Sequence, residues 1–347
     1  MPTVSIDTFF ACSLIVSVAL LATASLVGTM QTRINSLQDL NKDDYLRTIA
    51  EHIVTSYGTP VDWGSSNAVP TTFGLSDSDS SHLYELDIDK ISRLNSQNSY
   101  SLSHIQVSNA ARLNNIALGI SLSQMLSITV MPSAKTTVGD ATAYTFKISV
   151  SQASGSTNAS LHCYVVTRDF LSDVSNTTSS GGIGYISVQI PNSSSGPALL
   201  IVFARASFDD RITSYEAYSF AHLSQEPSPN HTFLGLSPLN YTLNLNSNFS
   251  GIIIEQEYAF SYAYQSNLTS ITTTTYAIPA FVDKSPIILA ISGLNGTTAF
   301  IEWVSYPDIP LDFGSNFENS EENVFVYIVT VKETLYKLTL SFGDVVK

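Results

Sequence analysis

Residues 9–21 read Phe9-Phe10-Ala11-Cys12-Ser13-Leu14-Ile15-Val16-Ser17-Val18-Ala19-Leu20-Leu21, apolar on every side of a helix. No charged residue occurs from Thr8 to Thr32. At ~1.5 Å per residue, those 25 positions span ~37 Å as a helix, enough to cross a bilayer. Upstream, Met1-Pro2-Thr3-Val4-Ser5-Ile6-Asp7 holds none of the basic side chains that precede the core of a cleaved secretory signal. Ala22-Thr23-Ala24 has the small residues of a cleavage site, but the run continues through Leu26-Val27. Downstream of Arg33, apolar Ile34, Leu37, Leu40, Leu46, Ile49 and Ile53 recur mostly at helical spacing among charged residues. No proline falls between Val4 and Thr59, and Gly58-Thr59-Pro60 supplies a stop. The reading is one helix over residues 1–57, apolar over 8–32 and amphipathic over 33–57.

A Val4-Ser5-Ile6-Asp7-Thr8-Phe9-Phe10 opening on such a helix resembles a type IV pilin, in particular the archaeal pilin-like surface proteins. In that family an acidic residue near the N-terminus neutralises a neighbouring subunit's terminal amine. Asp7 is the matching residue, two positions later than usual. The resemblance implies a subunit that is membrane-inserted before assembly and then associates with itself into a helical filament. Asp7, Phe9, Phe10, Leu14, Val18 and Leu21 would be its assembly residues. A second resemblance is to a segment that follows the anchor helix in archaeal secreted proteins. It rests on Val61-Asp62-Trp63-Gly64, Pro70-Thr71-Thr72-Phe73-Gly74-Leu75 and the run from Tyr84 to Asn95.

Residues 58–125 read as a neck packed on the amphipathic half of the helix, with short helices over 87–93 and 102–118. From Ser127 the pattern changes to period-two alternation. Segments 127–131, 143–150, 159–167 and 184–190 read as strands, and the apolar run 198–204 as a fully buried one. Ser224-Gln225-Glu226-Pro227-Ser228-Pro229 reads as a linker before a second series over 241–245, 251–263, 270–278, 287–292, 299–304, 324–331 and 334–342. The expected fold class is therefore α+β: a long N-terminal hydrophobic helix, then two immunoglobulin-like β-sandwich domains over 126–225 and 226–347.

The chain has 347 residues, of which 44% are hydrophobic and only 13% charged. Its net charge of −14 repels phosphate backbones, so nucleic acid is not an expected partner. Asn-X-Ser/Thr acceptor sites stand at Asn158, Asn176, Asn192, Asn230, Asn240, Asn248, Asn267 and Asn295, and none precedes Asn158. That placement fits outer domains that carry glycans and an N-terminal part that is covered. Cys12 and Cys163 lie in segments too different to pair, so no disulfide is expected.

No HExxH, GxSxG or phosphate-binding glycine loop occurs. Cys163 and His162 are neighbours, but adjacent strand residues point to opposite faces, so they make a poor nucleophile–base pair. Three acidic groups, Asp77 with Asp79, Asp209 with Asp210, and Glu318 with Glu321 and Glu322, read as solvated turns rather than cation sites. Tyr258, Phe260, Tyr262 and Tyr264 alternate and read as one strand face, core or subunit contact before sugar platform. The expectation is a non-enzymatic, cofactor-free structural subunit of an extracellular type IV pilus-like filament at the cell surface. Adhesion to surfaces or other cells would follow. The alternative is a single-pass membrane-anchored surface glycoprotein or adhesin.

Overall fold

Alternating and fully apolar runs separated by Gly, Ser and Asn clusters leave little choice but strands, and strands dominate the computed structural model. It describes residues 6–113, 116–280, 286–314 and 322–344; within the long helix, the side chains of 6–12, 19, 22, 24, 26–29 and 31–41 fall outside it. Two compact units result, 1–51 and 52–347.

The first unit consists of one helix, Ile6–Thr55, whose last turn belongs to the second unit. The expected class is corrected here. The protein is mostly β, with five four-stranded antiparallel sheets. Among the described residues no helix is long and apolar enough to cross a membrane. The descriptions "pilin" and "transmembrane helix" are therefore not supported. Within the described run, hydroxyls bond back to the helix's own carbonyls. Ser17 donates to the Ser13 carbonyl (2.9 Å) and Thr23 to that of Leu20 (2.9 Å). Charged residues then recur from Arg33 onward.

In the second unit, the stretch that follows the helix folds around Trp63. Its indole N–H donates to the Gly74 carbonyl at 3.2 Å. Gly74 is required there, because a Cβ would stand 2.3 Å from the Ser56 carbonyl oxygen. Two cations flank the ring, Lys90 Nζ at 5.9 Å and the Arg93 guanidinium at 5.6 Å from its centroid. Both are buried, and both spend their donors on backbone. Lys90 bonds Ser76 O (2.7 Å), and Arg93 bonds the carbonyls of Trp63, Ala68 and Tyr100. Burial pulls the Lys90 ammonium below its usual range, while Asp87 and Asp77 oppose that. The short helices are Ile88–Ser92, capped by Asp87, and His104–Ala110, closed by a Ser103–Gln106 capping box. The helix expected over 102–118 thus stops at Ala110, and a strand begins at Ile116.

Two of the five sheets form a sandwich. One joins Ser127–Val138, Ala141–Gln152 and Gly155–Ser156, with Ile183–Pro191 also paired to Ala141–Gln152. The other has the order Leu171–Thr177, Ala159–Val166, Gly196–Ala206, Thr213–His222. Phe146, Ile148, Ile186 and Val188 face Leu161, Val165, Leu200 and Val202 between them. The opposite face of the second sheet is buried as well. Tyr164, Leu199, Ile201 and Phe203 pack on Phe260, Ile288, Ala290 and Ile301. Those residues belong to a third sheet, ordered Tyr264–Asn267, Ile252–Ser261, Ile287–Asn295, Thr298–Tyr306. Two-sided burial is why 198–204 carries no polar residue.

The fourth sheet is small: Leu234–Leu239, Thr242–Ser247, Thr275–Ala277, Thr269–Ser270. The fifth has the order Leu311–Gly314, Ile116–Gln124, Thr334–Asp344, Glu322–Val331. It pairs a strand from the expected neck with the last strand of the chain, from Ile116↔Asp344 to Gln124↔Tyr336. Two successive immunoglobulin-like sandwiches are thereby replaced by sheets stacked and joined across the whole segment.

Candidate functional site

The expected assembly residues occupy the long helix. Leu14, Val18 and Leu21 are exposed at 68%, 58% and 71%, as are Ile15, Val16 and Leu20. The side chains of Asp7, Phe9 and Phe10, also assigned to assembly, lie outside the described residues. So one turn after another offers bare hydrocarbon to solvent, a patch that monomeric proteins rarely leave open.

All eight acceptor asparagines lie in the second unit, with different freedom. Asn158, Asn240 and Asn267 are exposed. Asn230 is half-buried and locked to one backbone position: its Nδ2 donates to Trp303 O (2.8 Å) and its Oδ1 accepts from Trp303 N (2.9 Å). Asn192 donates to Gly139 O and accepts from the Thr142 hydroxyl, and Asn248 donates to the carbonyls of His231 and Thr232.

A cleft of about 430 Å³ was not anticipated from sequence. Tyr241, Tyr306 and Tyr336 contribute to its wall, with Ile88, Pro307 and Val331. Asp77, Asp79, Glu85 and Glu333 stand around it, against one lysine, Lys332. Two tight hairpin turns carry part of the rim, each with both central residues left-handed: Asn240 and Tyr241 (φ 49 and 52), and Lys332 and Glu333 (φ 48 and 68). Below it, the Tyr306 hydroxyl donates to Asp89 Oδ1 at 2.7 Å, and the Asn240 N–H donates to the same oxygen at 2.7 Å. Burial nonetheless raises the Asp89 carboxyl above its ordinary range, those two bonds opposing it. Lys332 Nζ stands 5.6 Å from the Tyr241 ring centroid. Burial works against its charge, but Tyr241, Asp77 and Asp87 outweigh that and raise the ammonium's pKa. Tyr336 is fully buried, and its hydroxyl has no hydrogen-bond partner among the described residues.

The remaining sequence candidates resolve locally. Asp77 Oδ1 accepts from Asp79 N at 2.9 Å, and Asp209 holds Arg211 through two side-chain bonds of 3.1 and 2.8 Å. Glu318 and Glu321 lie outside the described residues, as does the side chain of Glu322. Among the described residues no group of three His, Cys, Asp or Glu is placed to hold a metal ion. Cys163 is buried in the first sandwich core, and burial pushes its thiol far up. His162 turns the other way. Its Nδ1 lies 2.9 Å from Ser175 Oγ, and its Nε2 lies 3.8 Å from Asp173 Oδ2. Sequence reading missed this Ser–His–Asp grouping, because only strand pairing brings the residues together. At 3.8 Å the carboxylate makes no orienting hydrogen bond, so the grouping lacks the geometry of a hydrolytic triad.

Of the aromatic series, Tyr258 and Phe260 join the second core. Ala263, at φ 65, turns the chain, so Tyr264 sits on the return strand rather than the same face.

No protein-family model matches the chain, and no curated protein does. Among solved structures, human GIVD cytosolic phospholipase A2 aligns over 67% of this chain and 33% of its own, at 8% identity and a TM-score of 0.15. The chain spans about a third of that enzyme's length. A likeness this weak carries no argument about fold or activity.

Proposed function

We propose that the chain is a structural subunit of an extracellular filament. Helices of many copies would associate side by side, and the β-rich segment would form a glycosylated, acidic exterior that serves adhesion. The observation behind this reading is the bare apolar surface at Leu14, Ile15, Val16, Val18, Leu20 and Leu21. Covering one such side chain is worth about 1.5–3 kcal/mol, so a row of them favours association with like surfaces. Covering each helix with its neighbours requires no membrane-spanning segment. The clustering of all acceptor asparagines beyond Asn158 supports the outward role of the β-rich segment.

The test is electron microscopy of material sheared from cells, with mass spectrometry of the filaments and a Leu14→Gln/Val18→Gln/Leu21→Gln variant alongside. The reading expects filaments that contain this chain and disappear in the variant, while the variant keeps its β-type circular dichroism. Its failure would be a wild-type chain recovered only as a monomer, or variant filaments indistinguishable from wild type.

A further inference from the structure

We propose that the outer edge of strand Glu322–Val331 is a pairing site for a second copy of this chain, joined edge to edge and antiparallel about Val326. This does not depend on whether the helices associate.

Glu322–Val331 is the last strand of its sheet, paired on one side with Thr334–Asp344 without a shift of register. Thr330 shows which backbone groups face the other side. Its N–H donates to the Tyr84 carbonyl (3.0 Å), and its carbonyl accepts from the Leu86 N–H (2.8 Å). The edge thus already takes strand pairing at one end. Backbone groups alternate sides along a strand, so Val324, Val326 and Ile328 aim theirs outward as Thr330 does. Among the described residues those groups have no partner. The three side chains share one face and are exposed at 47%, 54% and 51%.

Open edges of this kind are usually blunted against other chains. Three other edges here are. Ser127–Val138 has an irregularity after Pro132 and carries Lys135, Leu171–Thr177 carries Asp173, and Asn230 bonds the backbone of Trp303 on Thr298–Tyr306. From Asn323 to Val331 there is no charge, proline or bulge. The strand's own pattern selects the occupant. Antiparallel pairing about Val326 sets Val326 on Val326, Val324 on Ile328 and Phe325 on Tyr327, so every pair over 324–328 is apolar or aromatic. A register centred on Phe325 would set Glu322 against Ile328. Charge agrees with the antiparallel sense. Glu322 opens the strand and Lys332 follows its end, so antiparallel copies bring unlike ends together, whereas parallel copies would bring like ends together. Such an isologous contact closes on two copies. It is small beside the ~1,600 Å² of a standard interface, so the dimer is weak and forms where copies are crowded.

The experiment is sedimentation equilibrium of the full chain carrying Leu14→Gln/Val18→Gln/Leu21→Gln, which removes helix association and keeps the result independent of filament formation. A monomer–dimer equilibrium in the micromolar range is expected. Val326→Lys changes an exposed side chain and should weaken that equilibrium about tenfold, because two like charges then stand opposite each other. Circular dichroism should show its fold unchanged. Val326→Cys, in the same chain with Cys12→Ser, should give a disulfide-linked dimer on oxidation, since paired Cα atoms about 5.5 Å apart lie within disulfide range. Val138→Cys, exposed on another edge strand, should not. A monomer at every concentration, a dimer that Val326→Lys leaves unchanged, or equal cross-linking through Val138→Cys would overturn the proposal.

Discussion

Single side chains decide much of this molecule. Tyr306 joins Asp89 by a 2.7 Å bond, where burial already disfavours the carboxylate. Tyr306→Phe should therefore destabilise the protein by about 1.5–3 kcal/mol, the usual size for a hydrogen bond to a charged group. Urea unfolding would measure it, and an unchanged midpoint would show that the bond contributes nothing. At the acceptor asparagines, a glycan needs a free side-chain amide. Peptide mapping of material from its native cells should find sugar on Asn158, Asn240 or Asn267 and bare Asn230, which Trp303 holds on both sides. Occupied Asn230 alongside bare exposed sites would contradict the geometry. The type of each of these residues was visible in the sequence. Their environment was not, because Asn230 and Asn267 carry the same motif and differ only in what the fold places beside them.

At the scale of elements, alternation and apolar runs marked the strands, since period-two burial leaves its trace in the residues themselves. The stretch 102–118 misled, because Leu102, Ile105 and Val107 fit a helix and nothing local announces the strand at Ile116. The run 251–263 likewise hid its end, as the turn at Ala263 uses no glycine. One glycine carries a clear demand. Gly293 lies opposite the irregular pairing at Ile254–Gln256, and a Cβ there would stand 2.1 Å from the Ile253 carbonyl oxygen. Gly293→Ala should cost about 1–3 kcal/mol, as overpacking of a closed site does, read as a lower thermal midpoint. A neutral substitution would mean that the strand can shift away.

At the scale of the whole molecule, the central strand Thr334–Asp344 pairs on both sides, and Tyr336, Leu338, Leu340 and Phe342 on it are fully buried. Deleting it should unfold more than its own sheet: Ile116–Gln124 loses its main partner, and Leu335, which packs on the first sandwich core and donates its N–H to the Arg211 carbonyl, goes with it. Limited proteolysis of the truncated chain would show this as rapid cleavage between 116 and 314, whereas a protected core would mean that the sheets fold separately. At four buried carboxyls acid has the reverse of its usual effect. Asp89, Glu216, Glu302 and Asp308 are all raised from reference values of 3.8 or 4.5 by burial. The folded chain then holds these protons more tightly than the unfolded one, so their contribution is full below about pH 4 and is lost as pH rises through the folded pKa values. His162 and His231, lowered by burial, act the opposite way as pH falls toward 6, so the carboxyl effect is read by difference: between pH 7 and pH 5 the thermal midpoint of Glu302→Gln should gain less, or lose more, than that of the wild type. The same pH dependence in both would show that Glu302 contributes nothing.

The sequence by itself determined where strands run, that charge is sparse and negative, that Gly58-Thr59-Pro60 ends a helix, and that the acceptor asparagines cluster beyond Asn158. Such features are local: periodicity, turn chemistry and composition act on neighbouring residues. Only tertiary structure decided that the strands form five sheets with one buried on both faces, that residue 116 meets residue 344, and that Asp77, Tyr241, Tyr306, Lys332 and Tyr336 surround one cleft. The physical reason is that pairing partners and packed faces are chosen by long-range burial. A strand's own residues specify that it must be covered, and the rest of the chain specifies by what.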